Sequence, residues 1–278
     1  MSSKDSEDGG GARADGEVYV PGVRWNGGLQ QEAVDVLAGE GGLVVAPAKI
    51  GYALMTTDRQ GLERKFAAKN RSRTKPGVVM CASLDQLFLL ARTSAEIRGF
   101  ITDHWHQDVL LGCVLPWRSS GLAHVPDGAG ELVMDARGTS CFVIRCGAPV
   151  DPVTAALWER HGKVTFASSA DPSGRGNRGT IEGIGRRIAE RADLLVEADG
   201  YVRSLQPGSG PHDRYAQGVM VSLVDSDGVL VPRQTTADAG SAPAARPTVI
   251  RRGLDVDRVM LALGRHFPAW DYRHGAYH

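Results

Sequence analysis

No run of eighteen or more apolar residues occurs in the 278-residue sequence, so no segment suits a membrane-spanning helix. Net charge is also missing. The 32 Lys and Arg balance the 32 Asp and Glu, which removes any bulk attraction for nucleic acid or an anionic membrane and leaves a polyanion site to local clustering. Cysteine is scarce, and none of Cys81, Cys113, Cys141 and Cys146 forms a Cys-x-x-Cys pair. Each sits in an apolar, strand-like run where a free thiol behaves as a small hydrophobe, so no protein metal site is expected. The first residues, Met1 to Glu17, are polar and Gly-rich and lack the apolar run of a signal peptide. They are expected to be a disordered tail, and with the reduced thiols they point to the cytoplasm. No internal repeat is found.

What is present is an ordinary globular composition, 42% hydrophobic and 23% charged. The length suits one large domain with a real core, expected over residues 18–267, followed by an aromatic, His-containing tail over 268–278. Helical and strand patterns alternate, which predicts a mixed α/β sheet flanked by helices. Helices are expected over Gln30–Ala38, Gly61–Lys69, Leu84–Ala91, Ala95–His104, Pro152–Arg160, Thr180–Arg191 and Asp255–Phe267. Asp151 is expected to cap the fifth of these. Strands are expected over Leu43–Pro47, Gly77–Ala82, Val109–Leu115, Ser140–Cys146, Val164–Ala167, Leu194–Glu197, Val219–Val224 and Val229–Val231. Gln206–Gln217 and Pro232–Pro247 are rich in turn formers and read as loops.

Two segments carry chemistry. Arg64 to Lys75 holds six cations in twelve residues (Arg64, Lys65, Lys69, Arg71, Arg73, Lys75) and no acid. A charge run is usually a solvated helix face. Here the cations continue past the expected helix into the turn before the next strand, where several can converge on one phosphate. The second segment is Phe166-Ala-Ser-Ser-Ala-Asp-Pro-Ser-Gly174. A buried strand ends there in hydroxyls, a carboxylate and a turn, a natural anion cradle at a strand's carboxyl end, with an ordinary Asp-Pro-Ser-Gly turn as the plainer reading.

Together these segments resemble the YrdC-like family, known for threonylcarbamoyl-adenylate synthesis. The resemblance rests on Pro47-Ala-Lys-Ile-Gly-Tyr52-Ala-Leu54, Lys69-Asn-Arg71-Ser-Arg-Thr-Lys75-Pro76 and Ser169-Ala-Asp171-Pro-Ser173-Gly174, in the family's order. Val143-Ile-Arg145 and Pro247-Thr-Val-Ile-Arg-Arg-Gly253 extend it over most of residues 41–263. The resemblance implies a twisted mixed sheet with a concave basic cavity, and catalysis that condenses an amine, bicarbonate and ATP with Mg²⁺. It implies phosphate binding by Lys69, Arg71, Lys75, Arg145, Ser169 and Ser173. Lys69, Arg71 and Asp171 become the catalytic candidates, with charge developing on phosphate met by fixed cations.

The departures lie on the acceptor side. Ala48, Lys49 and Ile50 replace Thr, Glu and Thr of the first motif, Met80 replaces a histidine, and Asp171 stands for an asparagine. The substrate pocket is therefore expected around Ala48, Lys49, Ile50, Tyr52 and Met80, serving an amine or amino acid other than threonine, as suits specialised metabolism. Asp171 is repulsive beside a phosphate unless a cation intervenes, and Arg175 or Arg178 is its expected partner. Two competing expectations are an RNA-binding module on the same basic surface and a relative that processes an adenylate made elsewhere. His104 and His106 are read as exposed imidazoles at a helix end, and Trp117, Trp158 and Trp270 as space-filling.

Overall fold

The computed structural model describes residues 22–70, 76–172, 174–210, 213–232 and 245–275. In chain order the first elements are β1 (Val23–Arg24), α1 (Gln31–Ala38), β2 (Val44–Ala48), β3 (Gly51–Thr56), α2 (Arg59–Lys69), β4 (Val78–Met80), α3 (Leu84–Leu90), α4 (Ala95–His106) and β5 (Leu111–Pro116). Then come α5 (Ser119–Leu122), α6 (Gly130–Val133), β6 (Thr139–Ile144), α7 (Val150–His161), β7 (Thr165–Ser169), α8 (Arg186–Ala189), β8 (Leu194–Glu197) and α9 (Asp199–Leu205). The last are β9 (Val219–Ser222), β10 (Thr248–Arg251), α10 (Val256–His266) and β11 (Asp271–Tyr272). The strands form one mixed sheet in the order β1-β8-β2-β3-β7-β4-β6-β5-β9-β10-β11.

The pleat sorts the side chains of each strand onto two faces. Val79, Leu111, Cys113, Phe142, Ile144, Phe166 and Val221 point to one face, where α2, α3, α4 and α10 cover them with Leu62, Leu87, Phe100 and Leu263. On β2 and β3 the same alternation sends Val45, Tyr52 and Leu54 into a cluster closed by Ile188 of α8 and Val202 of α9. The opposite face carries Val44, Ala46, Ala48, Ala53, Met55, Met80, Val143 and Met220. There α1 and α7 pack side by side and bury the β2 end under Val34, Leu37, Val153 and Leu157. Towards β4, β6, β5 and β9 this face forms the floor of a pocket, and no described lining residue of that pocket belongs to a helix.

Several expected elements take a different form. Thr180–Arg191 is no continuous helix. A 3-10 turn over Ile181–Ile184 is followed by α8, and between them Gly185 takes φ +79°, which an α-helix does not accommodate. Leu230 makes a single bridge to Val224 in place of a strand over Val229–Val231. The β2 strand runs through Pro47, because β8 pairs with β2 only at Val44 and Val45 and leaves one side of the strand open at the proline. Lys49 and Ile50 then turn the chain directly into β3. Asp151 lies inside α7. Its carboxylate accepts from the Cys146 and Gly147 N–H groups and so caps the preceding turn. Val150 and Pro149 start the helix instead.

Candidate functional site

The site is built at the carboxyl end of β7. Asp58 caps the start of α2, its side chain accepting from Gly61 N–H, and ten residues on the helix delivers Lys69 to the end of β7. The Lys69 ammonium donates to the Ser169 carbonyl, lies 3.4 Å from Ser169 Oγ, and forms an ion pair with Asp171 at 3.7 Å. Both charged side chains are almost fully buried, at 3% and 7% exposure. Asp171 thus meets Lys69, where Arg175 or Arg178 was expected. Its Oδ1 makes no hydrogen bond among the described residues. Arg71, Lys75 and Ser173 lie outside the described residues.

The basic run does not converge as a whole. Arg64 turns away to a two-pronged contact with Asp193 and donates to the carbonyls of Gly41 and Arg191. Lys65 is buried with its ammonium 5.3 Å from the Phe66 ring centre. Of the described cations in the run, Lys69 reaches the β7 turn through the Ser169 carbonyl.

Two hollows meet at the Lys69–Ser169 contact. On one side, Lys69, Asn70, Pro172, Arg175, Arg186 and Arg187 line an open hollow of about 470 Å³. Among the described residues no acid lines it, so its chemistry is that of an anion site. On the other side, Ser168 and Ser169 border the pocket on the sheet face, which encloses about 90 Å³. Its floor is Ala53, Val78, Met80, Gly112, Val143, Ala167 and Met220, and Arg251 is its one charged described lining residue. Among the described residues, the cations collect in the neighbouring hollow.

Each residue expected in the acceptor pocket has a definite place. Ile50 and Met80 line it. Ala48 is buried in the same apolar layer, beneath the helices. Tyr52 is on the other face of the sheet. Its hydroxyl donates to Asp199 at 2.5 Å and accepts from the Ala198 N–H at 3.0 Å, and burial raises its pKa. The reason is the pleat, which sends Ala53 into the pocket and Tyr52 away from it. Lys49 stands at the rim, bound to the carbonyl and carboxylate of Asp108 at 2.6 and 2.9 Å. Arg145 meets the same carboxylate at 3.1 Å and lies 4.7 Å over the Trp105 ring. Two cations expected to face ligand are thus held by Asp108, a residue that sequence reasoning did not single out.

Gln217 and Arg251 were also missed. Gln217 belongs to a turn-rich stretch, and Arg251 reaches the pocket only through a bulge. The rim is tied down by Gln206, whose amide donates to Lys49 O and Ala216 O and accepts from Ala216 N–H. Asp151 beneath it has its pKa pushed up to about 6 by burial. His104 is buried, where an exposed ring was expected. Its Nδ1 lies 2.6 Å from the Phe100 carbonyl, and burial lowers its pKa. Among the described residues no group of His, Cys, Asp and Glu could hold a metal ion.

A family model, Sua5/YciO/YrdC, described as "Telomere recombination", matches residues 37–207. The chain belongs to the Sua5/YciO/YrdC family. A crystal structure of the hypothetical protein smu.1377c from Streptococcus mutans UA159 is 46% identical, covers 93% of this chain and 100% of that one, and superposes with a TM-score of 0.84. P. abyssi Sua5 complexed with L-threonine is 20% identical, with a TM-score of 0.58 over 87% of this chain and 60% of that one. E. coli YciO is 19% identical, with a TM-score of 0.52 over 72% and 86%. These last two likenesses concern the fold, and this Sua5/YciO/YrdC chain spans about three fifths of the Sua5 chain. No curated protein matches the sequence significantly.

Proposed function

We propose that this protein is an ATP-using enzyme that forms a carbamoyl-adenylate, or a related acyl-adenylate, from bicarbonate and an amine or amino acid other than threonine. The observation that carries the reading is the shared wall. An arginine-rich hollow and an apolar pocket meet at Lys69 and Ser169, and an adenylating enzyme needs one place for the triphosphate and an adjoining place for the acceptor.

The reaction is balanced as follows. The neutral amine nitrogen adds to CO₂ derived from bicarbonate and loses a proton, giving a carbamate. A carbamate oxygen forms a bond to the α-phosphorus of ATP, the bond to the β-phosphate bridging oxygen breaks, and pyrophosphate leaves. Lys69 and the arginines of the hollow hold the charge that accumulates on the phosphates, a preorganised electrostatic role. Asp171, with one carboxylate oxygen free of hydrogen bonds, is the residue suited to Mg²⁺, which would screen it from the phosphates.

The test is calorimetric titration of ATP–Mg²⁺ into the wild type and Lys69→Ala at low and raised salt, followed by a screen for bicarbonate-dependent pyrophosphate release. Saturable binding that persists in salt, is lost in the variant and leads to pyrophosphate release is expected. Absence of ATP binding to the wild type overturns the reading. A steep loss of affinity with salt, the signature of counterion release, turns it towards a polyanion surface such as RNA.

A further inference from the structure

Three turns carry lining residues of the pocket on the sheet face, and one ion cluster joins all three. The turn between β2 and β3 holds Lys49 and the lining Ile50. The turn from α4 into β5 holds Asp108 and, two residues on, the lining Leu110. The turn after β6 holds Arg145, between the lining Val143 and Cys146. Asp108 meets Lys49 at 2.9 Å with one carboxylate oxygen and Arg145 at 3.1 Å with the other, and its carbonyl accepts from Lys49 Nζ at 2.6 Å. The Lys49 and Arg145 turns are also joined by main chain, the Lys49 N–H donating to the Cys146 carbonyl at 2.8 Å. Asp108 is bound to them through the two cationic side chains.

The backbone closes this cluster at a cost. Asp108 takes φ +55° and Arg145 φ +60°, so both partners of one ion pair lie in the left-handed region. A residue other than glycine brings its Cβ against a carbonyl oxygen there, and aspartate tolerates this better than arginine. Such a conformation persists only where the surroundings over-determine it, and it clusters at clamps and switches. Arg145 is held by Asp108, by the Trp105 ring 4.7 Å from its guanidinium, and by Asp151, which accepts from the next two N–H groups. The Asp108 side chain is 61% exposed. Ion pairs with an exposed partner are weak and are screened by salt. Strain at two residues and the return from two such pairs are of the same order. The contact therefore has two states of similar energy, one closed on the ion cluster and one open with both residues relaxed.

We propose that the Lys49–Asp108–Arg145 cluster is a latch across the mouth of the sheet-face pocket, which opens when Asp108 releases the two cations. Closed, it draws together the turns that carry Ile50, Leu110, Val143 and Cys146. Open, it admits a small molecule to them. The latch governs entry whatever the pocket takes, and it does not depend on the adenylating reading.

Cys146 reports the state of the latch. It lines the pocket one residue past Arg145 and is 3% exposed, while Cys81 and Cys113 sit in the core on the other face of the sheet. The experiment is the labelling rate of each cysteine by methyl methanethiosulfonate, read by mass spectrometry on the full chain without nucleotide. Wild type and Asp108→Asn are compared at low and raised salt. Asparagine keeps the side-chain shape, tolerates the same φ and deletes the charge. Cys146 is expected to label about ten-fold faster in the variant, which corresponds to about 1.4 kcal/mol lost from two exposed pairs. Raised salt should bring the wild-type Cys146 rate towards that of the variant and leave the variant unchanged. Cys81 and Cys113 should stay slow throughout. Equal Cys146 rates in wild type and variant overturn the latch, and so does a wild-type rate indifferent to salt. Acceleration of Cys81 and Cys113 along with Cys146 also overturns it, because the variant would then have lost overall stability and not a local closure.

Discussion

The Lys69–Asp171 pair allows a prediction that separates a phosphate-facing lysine from a structural one. Asp171→Asn keeps the side-chain shape and deletes the charge. The pair is 3.7 Å apart with both side chains nearly excluded from water. At an effective dielectric constant of about 20, two unit charges at that distance attract by about 4–5 kcal/mol. The cost of desolvating both ions offsets much of this, but removing one partner leaves the other charge buried and costs about 3 kcal/mol. For a chain of this size that lowers the melting temperature by roughly 5–10 °C. The same change should improve anion binding. The lysine keeps its bond to the Ser169 carbonyl and so stays in place, while the carboxylate that competes for it and repels phosphate is gone. If even about 1.4 kcal/mol of the released attraction is transferred, pyrophosphate in EDTA binds about ten-fold tighter. Thermal denaturation and calorimetric titration with pyrophosphate read the two effects. A variant as stable as wild type that binds pyrophosphate no more tightly would refute the assignment of Lys69 to the anion hollow.

Two further predictions concern residues around the site. Tyr52→Phe removes the hydroxyl that bridges Asp199 and the Ala198 N–H. It should cost about 1–3 kcal/mol, chiefly by leaving the Ala198 N–H unpaired, since Asp199 Oδ1 keeps the Ile181 N–H. The loss is seen as a lower melting temperature, while the ATP titration stays unchanged because the ring lies on the far face. A loss of ATP affinity would put the tyrosine back in the site. Asp151 predicts a pH dependence. Its folded-state pKa is raised to about 6 by burial, so the folded chain binds that proton more tightly than the unfolded chain does. The stability it contributes is complete below about pH 4 and is lost as pH rises through 6. The melting temperature of wild type relative to Asp151→Asn should therefore fall between pH 4 and 6, and a difference that is flat or rises in that window would contradict the burial argument.

Much of the architecture was written in local pattern. The runs over Leu43–Pro47, Gly77–Ala82, Val109–Leu115 and Val164–Ala167 are apolar on both alternations, because the sheet is covered on one face and forms the helix-packed layer and pocket floor on the other. Each became a strand within a few residues of the expected ends. β3 was not anticipated, since Pro47 read as a terminus. What decides there is tertiary, the end of the β8 pairing at Val45. α9 was likewise missed, its seven residues burying only Val202. The helix expected over Thr180–Arg191 failed at Gly185, whose positive φ overrides the propensity of its neighbours.

The site was legible to the extent that its residues are neighbours in sequence or in motif. Lys69, Ser169 and Asp171 were found because a helix end and a strand end are each continuous, and the structure brings them together. Gln217 and Arg251 of the pocket were not, because they come from two distant segments and Arg251 faces inward only by a bulge. The same bulge bears on specificity. A regular β10 would put an aliphatic side chain, or none, over Met220, and the described pocket would then hold no charged side chain. With Arg251 turned in, the pocket gains a cation beside an apolar floor. At the rim, Asp108 pairs with Lys49 and Arg145, two cations that would otherwise attract a phosphate there. Separation of the anion hollow from the acceptor pocket thus follows from two local features, a carboxylate that silences the rim cations and a register shift that supplies one cation inside. Replacing Asp108 with Asn should blur that separation: calorimetric titration with pyrophosphate would gain a second, weaker site at Lys49 and Arg145. A single pyrophosphate site would show that the rim cations are kept from anions by geometry and not by Asp108.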